Sequence, residues 1–111
     1  MLIATRTLTL AGAEPMAIQI RLFSPEQGND GGWFSRYEID WPHARYVSTG
    51  WGVDAFQAIA LTLQKIGVDI YFSEYHKSGK LMWKAAGQGY GFPVPKNARD
   101  MLVGEDAVFG A

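Results

Sequence analysis

The residues available for chemistry are few. The 111-residue chain holds two histidines, eleven carboxylates, ten lysines and arginines and no cysteine, which excludes disulfides, thiol nucleophiles, zinc–cysteine sites and iron–sulfur clusters. His76 has Glu74 two residues before it and Lys77 directly after it, a composition suited to general acid–base work. Glu74, His76 and Lys77 are therefore the candidate catalytic groups. The other acid–histidine pairing is Asp40-Trp41-Pro42-His43. A metal shared by Glu74 and His76 needs an extended backbone, because side chains two apart diverge on a helix; no metal and no cofactor is expected. Ser35, Ser48, Ser73 and Ser78 lack the context of a nucleophile elbow.

Charge is segregated along the chain. Residues 1–75 carry −3, residues 76–99 carry +5 and residues 100–111 carry −3, for a net charge of −1 and a pI near 6.1. The near-neutral total removes the global electrostatic case for a nucleic-acid binder, which must neutralise phosphates. A local case remains, since Lys77, Lys80, Lys84, Lys96 and Arg99 alternate with His76, Trp83 and Tyr90. Positive charge there suits an anion and the rings suit stacking or burial; the plainer reading is a solvated rim that keeps a helix end and an edge strand soluble. His76, Lys77, Lys80, Trp83, Tyr90 and Lys96 are the candidate binding residues of this stretch. Arg6 joins them because it interrupts an apolar strand face. A buried arginine there needs a carboxylate such as Glu38 or Asp40, or a cleft; on an edge strand it keeps its head in solvent.

The loop Gly87-Gln88-Gly89-Tyr90-Gly91 departs from phosphate-cradling loops, since no Lys-Ser/Thr follows and no helix opens directly after it. A helix start near Lys96 could hold an anion through its free N–H groups, although lysine there opposes the helix dipole.

These residues must be positioned by a few elements. Period-two alternation predicts four strands, at about 2–10, 17–24, 33–41 and 44–51. In the second, Ile18, Ile20 and Leu22 face inward; in the third, Trp33, Ser35, Tyr37, Ile39 and Trp41 share one face while Phe34, Arg36, Glu38 and Asp40 take the other. Short glycine- and proline-bearing turns between them favour an antiparallel meander, with Arg21, Arg36 and Arg45 cross-strand from Glu38 and Asp40.

At Asp54 the period changes. Asp54 and Gln57 are spaced as a capping box, and Phe56, Ile59, Ala60, Leu63, Ile66, Gly67 and Ile70 form an apolar stripe at helical spacing. The spacing predicts a helix from about 54 to 75, with a strand beyond Gly67 as the alternative. Alanine at Gly67 then raises the melting temperature unless close backbone packing needs the glycine. A short strand at about 80–85, a helix at about 96–103 and a frayed end from Glu105 to Ala111 complete the chain.

From Ile3 to Glu105 the sequence resembles a family of small bacterial domains of unknown function. The likeness rests on Ile3-Ala4-Thr5-Arg6, on Gly52-Val53-Asp54-Ala55-Phe56-Gln57-Ala58, on Ser73-Glu74-Tyr75-His76-Lys77-Ser78-Gly79-Lys80-Leu81 and on Gly89-Tyr90-Gly91-Phe92-Pro93-Val94-Pro95-Lys96-Asn97. It implies no activity, but directs attention to Arg6, Glu74, His76, Lys77 and Tyr90 as one site.

The expectation is thus a single α+β domain: an antiparallel sheet of four or five strands, one long helix on a face and a short C-terminal helix. With no signal-peptide pattern and no apolar run of membrane-spanning length, a cytoplasmic protein is expected. The expected function is a non-catalytic binding or protein-interaction module for a protein or small anionic ligand, or one that pairs with a second copy of itself. The alternatives are a small hydrolase-like enzyme using Glu74, His76 and Lys77, or an accessory of nucleic acid, which the net charge disfavours.

Overall fold

The computed structural model describes residues 1–109 and is α+β. Strands β1 (Leu2–Leu10), β2 (Met16–Phe23), β3 (Glu26–Gln27), β4 (Trp33–Asp40) and β5 (Arg45–Gly52) precede helix α1 (Ala55–Tyr71), the short α2 (Glu74–Lys77) and β6 (Leu81–Met82). A 3-10 helix (Lys96–Met101) and α3 (Gly104–Phe109) follow. The sheet has six strands in the order β3-β4-β2-β1-β6, with β5 also on β4. The four long strands meander as β1-β2-β4-β5, and the two-residue β3 and β6 bring the count to six. β2 and β3 share one edge of β4 and are separated by Ser24-Pro25, where proline supplies no N–H to the ladder.

The chain divides into two compact units, Met1–Arg6 with Ile18–Leu63, and Thr7–Ala17 with Gln64 onward. In the first unit the alternation is visible directly: Ile18, Ile20, Leu22, Ser35, Tyr37 and Ile39 are all buried. Asp54 Oδ1 accepts from the Gln57 N–H at 2.8 Å and Gln57 Oε1 accepts from the Val53 N–H at 2.8 Å, a reciprocal cap that starts α1.

The buried stripe of α1 matches the apolar spacing at Ile66, Gly67 and Ile70 and departs from it nearer the start of the helix. It runs through Ala58, Thr62, Ile66, Ile70 and Tyr71, whereas Phe56 is 85 % exposed. The reason is close approach: a Cβ on Gly52 would lie 2.4 Å from the Ala58 nitrogen, and one on Gly50 would lie 2.7 Å from the Thr62 Cα. Only small helix residues fit against β5 there. Thr62 Oγ1 donates to the Ala58 carbonyl at 2.7 Å and lies 3.3 Å from the Ser35 carbonyl, so its buried hydroxyl is satisfied.

The other face of β4 carries charge. Register sets Arg21 opposite Glu38 and Asp40 opposite Arg45; Arg21 bonds both carboxylates, and Arg45 Nε donates to Asp40 at 2.9 Å. Hydrogen bonding from Arg21 holds the Asp40 carboxyl below its ordinary range.

In the second unit α1 continues through Gly67 and stops at Tyr71, short of Tyr75. The stop is local. Ser73 Oγ donates to the Ile70 carbonyl at 2.7 Å and accepts from the His76 N–H at 3.1 Å, closing one turn and capping α2. Gly79, at φ 76°, ends α2 and turns the chain into β6. There Leu81 and Met82 pair with Leu10 and Thr9. Pro93-Val94-Pro95 then passes so close to α1 that a Cβ on Gly67 would lie 2.2 Å from the Pro93 carbonyl oxygen.

The C-terminal reading needs correction. Glu105 to Phe109 belong to a helix instead of a frayed end, and Asp106 is buried; Gly110 and Ala111, the rest of that expected end, lie outside the described residues. Gly104 opens α3, at a φ of 57° and against the backbone of Gly87 and Gln88, where no side chain fits.

Candidate functional site

Asp106 is the centre of the second unit's polar chemistry. Its Oδ2 accepts from the Tyr71 hydroxyl at 2.6 Å and from the Tyr90 N–H at 2.8 Å, and its Oδ1 accepts from the Gly91 N–H at 2.9 Å. The glycine loop is what makes this possible. Gly87, Gly89 and Gly91 all have φ between 77° and 83°, turning successive N–H groups inward, and a Cβ on Gly89 would collide with the Asp106 carboxyl. The loop therefore cradles an anion, and that anion is the protein's own.

Above it lies an aromatic trio. Tyr71, His76 and Tyr90 meet edge to face, with centroids 4.7 to 5.5 Å apart. His76 Nδ1 lies 2.5 Å from the Tyr90 hydroxyl, which is 3.5 Å from the Leu81 carbonyl. Burial lowers the His76 pKa and favours the neutral imidazole. Burial and the Asp106 charge push the Tyr90 phenol up to about 12; burial and the Asp106 hydrogen bond raise the Tyr71 phenol as well. Each of these groups is held in its neutral form at physiological pH.

Of the residues singled out in the sequence, the structure joins His76 and Tyr90 directly. Tyr90 is 3 % exposed, so its ring is packed inside the unit instead of standing on its surface. Glu74 is exposed in the first turn of α2, and among the described residues no hydrogen bond or ion pair joins its carboxylate to His76. The partner that orients the imidazole is a tyrosine.

Lys77 and Lys80 are exposed on the segment that runs from α2 into β6. Trp83 and Lys84 follow β6: the Lys84 ammonium sits 4.8 Å from the Trp83 ring centre and 3.6 Å from Glu105 Oε2. They line a cleft of about 180 Å³ together with Gln88, Glu105 and Asp106. Lys96 is exposed at the opening of the 3-10 helix, whose first turn has no side-chain cap. Arg6 lies on β1 in the first unit, is partly buried and has polar or electrostatic interactions of its own. Glu38 and Asp40, its proposed partners, are bound by Arg21 and Arg45.

Sequence reasoning missed Asp106 and Tyr71. A usable signal was present in the glycines at 87, 89 and 91: a loop that turns N–H groups to one side makes a concavity suited to an anion, and the nearest acids after it stand at 100, 105 and 106. Among the described residues no group of three or more histidines and carboxylates could hold a metal ion, and no helix is long and apolar enough to cross a membrane.

No curated protein and no solved structure matches the chain. A family model does match over residues 4–94, which include the glycine loop, His76 and Tyr90 but stop before Asp106; the chain belongs to the family described as Domain of unknown function (DUF6968).

Proposed function

We propose that this domain is a non-catalytic binding module that engages an acidic protein segment through the strap Lys77–Lys84. The observation that supports this reading is the division of labour in the second unit. The groups suited to acid–base work, His76, Tyr71, Tyr90 and Asp106, are bonded to one another, whereas Lys77, Lys80 and Lys84 stand exposed, the last of them over the Trp83 ring. An imidazole oriented by a phenol that keeps its proton has no carboxylate to stabilise its cation, which weakens the enzymatic alternative.

Carboxylates of a partner would meet three ammonium groups within an eight-residue stretch, with the indole as an apolar anchor. Fluorescence anisotropy with a labelled hexaglutamate peptide tests this. Binding is expected at low salt, weakening as ionic strength rises, and is lost in the triple variant Lys77→Ala, Lys80→Ala, Lys84→Ala. Equal binding by wild type and triple variant would overturn the assignment, as would no binding by either.

A further inference from the structure

One side of the sheet ends in a long apolar strand. β2 and β3 occupy one edge of β4, and β5 takes the other along its whole length, from Trp33 opposite Gly52 to Asp40 opposite Arg45. Its side chains alternate accordingly. Gly50 and Gly52 meet α1, while Arg45, Val47, Thr49 and Trp51 share the opposite side with Phe34, Arg36, Glu38 and Asp40. Val47 is 49 % and Trp51 56 % exposed.

An edge strand is ordinarily kept from pairing by lysine or proline placed on it, or by being short. β5 has eight residues with neither lysine nor proline, and from Tyr46 to Val53 the chain carries no charge. The charges stand at the two ends of that run, Arg45 before it and Asp54 after it. Their placement selects the occupant. A second copy laid antiparallel sets the cation of each beside the acid of the other, twice; laid parallel, it would set like charges together.

We propose that β5 pairs antiparallel with β5 of a second copy, Thr49 facing Thr49 of the partner subunit, so that two sheets become one. This register sets Val47 opposite Trp51 of the partner subunit and carries Arg45 to the end of the partner strand, beside Asp54 of the partner subunit. Both apolar side chains leave water. Arg45 donates to Asp40 through Nε, and the guanidinium has further N–H groups to give. Paired residues of equal parity keep the charged sides on one face of the joined sheet and the helices on the other. All of these residues belong to the first unit, and the pairing stands whether or not an acidic peptide binds the strap of the second.

Sedimentation equilibrium of the full-length protein tests this. Over a concentration series into the millimolar range, the mass should rise to twice the 12.3 kDa of one chain; a monomer throughout overturns the proposal. Thr49→Glu locates the interface. Within one copy the new carboxylate lies opposite Arg36, a favourable cross-strand pair, so the fold should hold. In the dimer two carboxylates face each other, and the dissociation constant should rise on the order of a hundredfold. Thr49→Lys should weaken association in the same way, and an equimolar mixture of the two variants should restore it as a mixed dimer. Wild-type association by Thr49→Glu, growth beyond a dimer, or no recovery in the mixture would each overturn the pairing. Should a variant fail to fold, hydrogen exchange of the wild type decides: amide protection along Arg45–Gly52 should rise with protein concentration, and constant protection there contradicts it.

Discussion

The two units handle charge in opposite ways. On the sheet face of the first unit, Arg21, Glu38, Asp40 and Arg45 form a cross-strand network whose side chains remain between 13 and 59 % exposed. In the second unit a single carboxylate, Asp106, is 3 % exposed and satisfied by one hydroxyl and two backbone N–H groups. Water can replace a lost partner in the first case and cannot in the second. A solvated ion pair is close to neutral in free energy, whereas a buried acceptor holds three donors that have nowhere else to go. Polar residues that look alike in sequence thus differ in consequence according to solvent access.

The largest expected effect of breaking this contrast is at Asp106. Asp106→Ala strands the Tyr71 hydroxyl and the Tyr90 and Gly91 N–H groups, and should cost on the order of 3 kcal/mol or more in urea unfolding. A loss below about 1 kcal/mol would show the buried cluster to be no more demanding than the surface one.

Gly67→Ala comes next. Helix propensity alone favours alanine by about 1 kcal/mol, but the new methyl would overlap the Pro93 carbonyl, which is backbone and has little room to yield. A net loss of about 1–3 kcal/mol is expected, seen as a lowered Tm. A raised Tm would mean that the Pro93-Val94-Pro95 segment shifts freely away from α1.

Smaller effects should appear in the pH dependence of stability. His76 is held neutral by burial with its pKa lowered, so its contribution is complete above the unfolded value near 6.5 and is lost as pH falls from there through the folded value. Tyr90 is shifted the other way. Its contribution is complete below about pH 10 and is lost as pH rises through about 12. Denaturant midpoints from pH 5 to 12 should show both limbs, and Tyr90→Phe should flatten the alkaline one. An unchanged alkaline limb in that variant would contradict the burial of the phenol.

The smallest effect is on the sheet face. Arg45→Ala should cost about 0.2–1 kcal/mol at low salt and less in high salt. A salt-independent loss above 2 kcal/mol would place this network among buried ones and erase the contrast.

How much of this could be read in advance follows the range of the interactions. Alternation in Trp33–Asp40 announced which side chains of β4 are buried, and the Asp54–Gln57 spacing announced the start of α1, because both signals lie within a few residues. The buried stripe of α1 was misread at Phe56 because periodicity cannot show that Gly50 and Gly52 bring a strand too close for a large side chain. The helix was extended past Tyr71 because the Ser73 cap competes with an apolar pattern that continues. Asp106 was hidden for a further reason. Its donors lie 15 to 35 residues away, and it sits in a short segment whose own composition looks like a frayed end.

Of the candidate site, the sequence offered residue types without their contacts: His76 and Tyr90 meet, and nothing local to either residue announces it. Tyr90 resembled a surface aromatic until its burial was known, and Glu74 resembled the natural partner of His76 until the tyrosine was found there instead. Sequence proximity favoured the acid; the turn at Gly79 and the return of the glycine loop favoured the phenol.

On the proposed function, acidic ligands should meet the strap of the second unit and leave the arginine-bearing sheet face of the first alone. Amide chemical-shift mapping with hexaglutamate measures both regions in one titration. Saturable shifts should centre on His76 to Lys84, with Arg21, Arg36 and Arg45 unmoved. Shifts centred on those three arginines, or none anywhere, would contradict it.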